Sequence, residues 1–204
     1  MLGLILSLVL LQGADLRGAA HTDPLPADLQ APIAAKIAPG GVRVSVASNT
    51  LTFWWVKELP IKSASAGWGE LAEGSLVGAV KVEKDFRDVR GRVIKTGTYT
   101  LRYGIQPANG DHLGVSPFRE FLLLSPAAHD TNPDALGHQG TVDISKETIG
   151  GSHPAVWSID PPVATEAPLS VHTTDAGHQA IVMEVPAPGG MLRFGLILIG
   201  KIDA

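Results

Sequence analysis

The chain has 204 residues, 45% of them hydrophobic and 18% charged, with a net charge of −4 at pH 7; this is enough apolar material for a core and excludes a disordered tail. No cluster of Lys and Arg is available to follow a phosphate backbone, which excludes nucleic acid as an expected partner. The absence of cysteine excludes disulfides, thiolate catalysis, iron–sulfur clusters and cysteine-ligated zinc.

Residues 2–11 are an almost unbroken apolar run, and the small residues Gly18, Ala19 and Ala20 follow it. This is the pattern of a secretory signal peptide, because the run is too short for a bilayer, which needs ~20 apolar residues. Residues 1–20 are therefore expected to be a leader, with cleavage after Ala20 or, alternatively, after Ala14. The expected location is periplasmic or extracellular, with no transmembrane span left after cleavage. About 184 residues remain after Ala20, the size of a single domain.

Residues 21–41 are rich in Pro and Ala and read as an extended arm with a helical turn at 31–37. Residues 42–204 read as one β domain. The 23 Gly and 15 Pro, set among many Val, Ile, Leu and Thr, favour short strands and turns over helices. Period-two alternation places strands at 42–46, 51–56, 76–82, 98–105, 118–124, 155–159, 169–173, 179–185 and 192–199. The last of these is apolar on both faces and is expected to be central and covered on both sides. Short helical segments are expected at 130–136 and 142–149, the second ending at Gly150 and Gly151. Nine or ten short strands with one or two helical inserts predict an all-β antiparallel β-sandwich, jelly-roll or Ig-like, with a closed barrel as the alternative.

In the strand at 51–56, Phe53 and Trp55 share the core face, and Trp54 points the other way. Trp54 is either covered by the loop at 63–75, rich in Gly, Ala and Ser, or exposed as a platform for a sugar or peptide. In the strand at 98–105, Tyr99, Leu101, Tyr103 and Ile105 face one side, and Thr98, Thr100 and Arg102 the other. The polar loop 107–117 is longer than a tight hairpin needs, and such loops carry function disproportionately. Trp54, Arg102, Asp111, His112 and Arg119 are therefore the candidate ligand-binding residues.

Three segments resemble a group of exported bacterial β-sandwich domains of unknown function. They are residues 93–101, with Gly97-Thr98-Tyr99-Thr100-Leu101 opening a strand; Asp111-His112-Leu113-Gly114-Val115-Ser116-Pro117 together with residues 121–128; and Gly151-Ser152-His153-Pro154-Ala155-Val156. The resemblance covers about a third of the chain. It implies a secreted β-rich domain and carries no activity.

The sequence holds no Gly-x-Ser-x-Gly elbow, no Ser-x-x-Lys and no His-Glu-x-x-His. Glu70 and Glu73 form no recognisable glycosidase pair, which needs two carboxylates set across a cleft; solvated loop charges are the simpler reading. The histidines match no compact zinc spacing. If cleavage follows Ala20, His21 becomes the amino terminus. A terminal amine and its imidazole suit Cu(II), and copper-dependent polysaccharide monooxygenases and copper-resistance carriers are similar in using this device. The first expectation is an exported noncatalytic binding protein for a glycan, a peptide or an envelope protein, without a cofactor. The alternative is a copper-type protein using His21 with His112 and His153. A hydrolase is the third class.

Overall fold

The computed structural model describes residues 16–107, 118–160 and 166–200. In chain order its elements are β1 (Leu16–His21), α1 (Ala31–Ala34), β2 (Gly41–Val46), β3 (Asn49–Trp55), β4 (Leu76–Val82), β5 (Phe86–Arg87), β6 (Val93–Ile94), β7 (Gly97–Ile105), β8 (Glu120–Pro126), α2 (Gly137–Ile149), β9 (Ala155–Asp160), β10 (Val171–Thr173), β11 (Gln179–Ala187) and β12 (Gly190–Ile199). Ten strands form one antiparallel sheet in the order β1-β2-β3-β4-β7-β8-β9-β12-β11-β10, and β5 and β6 form a separate small ladder. The all-β expectation holds. No helix among the described residues is long and apolar enough to cross a membrane.

The arrangement is closer to the barrel alternative than to a clear sandwich. Its strands do not divide into two facing sheets; they belong to one sheet that curls on itself. Phe53 and Trp55 project inward from β3 and stack with centroids 5.5 Å apart. Phe53 meets Trp157 of β9 at 5.9 Å, and Trp55 meets Phe194 of β12 at 5.8 Å. β9 and β12 lie several strands away from β3 in the sheet, so only curvature brings these rings together. A twisted sheet of this width tends to curl instead of staying open. The two ends of the sheet approach at Gly18 of β1: a Cβ there would fall 2.6 Å from Ile181 Cδ1 and 3.2 Å from Leu169 Cβ.

The strand from 97 to 105 alternates as its sequence indicates: Tyr99, Leu101 and Tyr103 are buried inside, and Thr100 and Arg102 are buried on the outer face. β12 lies between β9 and β11 and is buried on both faces from Phe194 to Leu198. Trp68, in the loop after β3, closes the interior by stacking on Tyr103 and meeting Phe194 edge-on.

Three segments differ from the sequence reading. Residues 16–20 lie in β1, paired with β2 from Leu16↔Val46 to His21↔Gly41, so cleavage after Ala20 would fall inside a strand. The stretch 130–136 is an irregular loop and not a helical turn, held in place by Arg102 as described below. Finally, α2 begins at Gly137, five residues before the expected start, and ends at Gly150 in the left-handed conformation (φ 63°). At its start the Gly137 N–H donates to the Glu73 carbonyl at 3.0 Å and Thr141 Oγ1 to the Gly137 carbonyl at 2.7 Å. Its buried residues are Thr141, Ser145 and Thr148, a stripe at helical spacing made of hydroxyls instead of apolar side chains. Ser145 Oγ and Thr148 Oγ1 each donate to the Leu124 carbonyl at 2.7 Å, and the Ala155 N–H donates back to Ser145 Oγ at 3.1 Å.

Candidate functional site: a groove between α2 and the sheet

The small side chains that dock α2 leave space beside them. A cavity of about 280 Å³ lies between the first half of α2 and the outer face of β7, β8 and β9. Phe121, Leu123 and Val156 line it from the sheet, and Thr141 and Val142 from the helix. Gly104 keeps the sheet side open; a Cβ there would come within 2.3 Å of Leu123 Cδ1. The lining is mostly apolar, and Glu73, Arg90, His138, Lys146 and His153 provide its polar groups. Ligand pockets commonly combine an apolar wall with a few placed polar groups.

Glu73 is the carboxylate of the groove. Its Oε1 accepts from the Ile105 N–H at 3.0 Å and lies 3.1 Å from His138 Nδ1. Its backbone carbonyl accepts from the Gly137 N–H at 3.0 Å, which ties the first turn of α2 to the loop before β4. Lys146 Nζ lies 3.2 Å from Asp143 one turn away. Arg90 comes from the turn between β5 and β6. In that turn Asp88 Oδ1 accepts from the backbone N–H groups of Arg90 and Arg92, both at 2.9 Å. Burial, and then the neighbouring Arg92 charge, push the Arg90 pKa down from its ordinary value.

Arg102 stands behind the groove and not in it. It is fully buried, as is Asp130. Nε donates to Asp130 Oδ2 at 2.7 Å and Nη2 to Oδ1 at 2.8 Å. Nη1 donates to the carbonyls of Gly74 at 2.5 Å and Asp134 at 3.0 Å, and Nη2 also reaches the Asn132 carbonyl. A guanidinium has five N–H donors, and these contacts use them all. Arg102 is therefore a clamp that fixes the loop leading into α2 and the Gly74 turn, with no donor left for a ligand.

Trp54 is not an exposed platform. It is buried, its Nε1–H donates to the Asp23 carbonyl at 3.3 Å, and the His21 ring meets it edge-on at 5.2 Å. Its cover is the segment after β1 and not the Gly-rich loop, because pairing of β1 with β2 delivers residues 21–23 onto that face. The same contacts hold the ring of His21, the residue of the copper alternative. Its Nε2 donates to the Phe53 carbonyl at 3.1 Å, and its Nδ1 accepts from the Asp23 N–H at 3.1 Å, so both ring nitrogens are engaged.

His153 does line the groove. His21 instead belongs to the Trp54 contact, and Asp111 and His112 lie outside the described residues. No group of three or more His, Asp or Glu suited to a metal occurs among the described residues. Arg119 is exposed and its Nη2 donates to the Gln106 carbonyl at 2.8 Å, beside the groove residues Gln106 and Pro107. Glu70 accepts from the Lys62 N–H at 3.3 Å, away from Glu73's partners. Sequence reasoning missed Arg90, His138 and Lys146 as groove residues. His138, Thr141, Val142 and Lys146 share one face at helical spacing, a signal visible only once the helix is started at 137.

The chain matches no family model, and no curated protein or solved structure is significantly similar to it.

Proposed function

We propose that this chain is an exported, noncatalytic binding protein whose small, largely apolar ligand sits in the groove between α2 and β7–β9. The observation that carries the reading is the groove itself, with an apolar lining between two rigid elements and polar groups at a few positions. The clamp at Arg102 supports it, because a site on fixed elements is organised before the ligand arrives. The noncatalytic reading rests on the sequence, which holds no Gly-x-Ser-x-Gly, Ser-x-x-Lys or His-Glu-x-x-His signature. The export reading rests on the apolar run at 2–11. With Trp54 covered, an apolar ligand fits better than a glycan stacked on that ring.

The test is titration with the neutral dye N-phenyl-1-naphthylamine, whose fluorescence rises in apolar surroundings. Saturable binding is expected in the wild type and loss of it in Val142→Phe, which fills the groove from the helix side. Unchanged dye binding in a folded Val142→Phe variant would overturn the proposal.

A further inference from the structure

The charges around the groove are unequal. The cations Arg90 and Lys146 line it against the single carboxylate of Glu73, with the imidazoles of His138 and His153 beside them. Glu73 is already held by the Ile105 N–H and His138. Lys146 has Asp143 beside it. The guanidinium of Arg90, in contrast, donates no hydrogen bond to any described residue, although it is half-buried. Asp88, its nearest carboxylate in sequence, directs Oδ1 to backbone N–H groups instead. A partly desolvated cation beside an apolar wall is complementary to one kind of molecule, an apolar chain that ends in an anion. Guanidinium recognises carboxylate through two parallel hydrogen bonds.

From this complementarity we infer that the groove takes a medium-chain carboxylate, with its tail on Phe121, Leu123 and Val156 and its head on Arg90. The inference rests on the groove reading above and adds the ligand's charge and size. A volume of about 280 Å³ lies at the small end of the ~300–1,000 Å³ usual for ligand pockets, which suits a short chain and not a long-chain lipid.

The experiment compares octanoate, 1-octanol and octylammonium by calorimetry, and by displacement of N-phenyl-1-naphthylamine, on the whole chain. Octanoate is expected to bind at least about tenfold more tightly than octanol, the increment of one charge-assisted contact, and octylammonium more weakly than either. Arg90→Gln should remove that preference. Arg90→Lys, which keeps the charge without the fork, should retain part of it and confirms that the site tolerates substitution. Equal affinity for octanoate and octanol, or an Arg90→Gln variant that still prefers octanoate, overturns the carboxylate assignment and leaves the apolar groove standing. Failure of dye and all three probes to bind overturns the groove reading and this inference with it.

Discussion

Removing Asp130 is the sharpest probe of the clamp. In Asp130→Ala the Arg102 guanidinium stays buried, and its remaining partners are the carbonyls of Gly74, Asn132 and Asp134. Leaving one charge of a buried pair without its counter-ion costs about 3–5 kcal/mol. For a chain of this size each kcal/mol moves the melting temperature by roughly 2–4 °C, so a fall of about 6–20 °C is expected. Total stability is of order 5–15 kcal/mol, and the variant should remain measurable by urea denaturation at low temperature. Arg102→Met leaves the opposite charge buried, with Thr100 Oγ1 as its hydrogen-bond partner. The double variant removes both charges and should cost less than the sum of the singles by about 2 kcal/mol or more. Added salt should change none of these values appreciably, because screening scarcely reaches a buried pair. A loss below about 1 kcal/mol for Asp130→Ala, with additive singles, would refute the argument and place the pair among weak surface contacts.

Three further outcomes are expected. Tyr103 is buried and its hydroxyl lacks a hydrogen-bond partner among the described residues, and desolvation raises its pKa from 10.0 to about 12. A raised folded pKa keeps its contribution whole below the unfolded value and loses it as pH rises toward the folded one. Tyr103→Phe should therefore flatten the decline in stability between about pH 10 and pH 12 and should not destabilise at pH 7, as urea titrations across pH will show; a loss at pH 7 would reveal an unrecognised partner. Gly74 has φ of +81°, and a Cβ there would fall 2.6 Å from the Leu136 N, so Gly74→Ala should cost about 2–4 kcal/mol in the same assay, and a neutral result would show that this turn relaxes freely. If the chain is exported and trimmed as proposed, the intact mass should give a terminus before Leu16, because β1 begins there; a stable protein beginning at His21 would show that β1 is dispensable.

The strand pattern was legible because most strands are amphipathic with a strict period of two, and 76–82 was read to the residue. The curl was not. Inward-facing Phe53 and Trp55 look the same from sequence whether they meet a second sheet or the far side of their own. β1 escaped because its residues, Leu-Arg-Gly-Ala-Ala-His, also satisfy a leader's cleavage region, and local composition does not separate the two. Arg102 was correctly placed on the outer face, yet its role depends on Asp130, Asn132 and Asp134, which lie in a segment whose irregular path has no periodicity. The groove lay hidden for a related reason. Gly140 and the polar start of α2 speak against a helix by propensity, and tertiary bonds from Ser145 and Thr148 to the Leu124 carbonyl override that preference.

The chain order of the last strands bears on how the molecule is made. After β9 the chain passes to the far edge, forms β10, and returns through β11 to place β12 against β9. Phe194, which joins Trp55 and Trp68 in the interior, therefore arrives after every other described strand of the sheet. Until then the growing chain is an unsealed meander with Phe53, Trp55 and Trp157 lacking part of their cover. Long-range pairing of this kind slows folding and prolongs exposure of aggregation-prone surface. A nascent or stalled chain lacking β12 should thus depend on chaperones, and folding should become cooperative only once β12 is available.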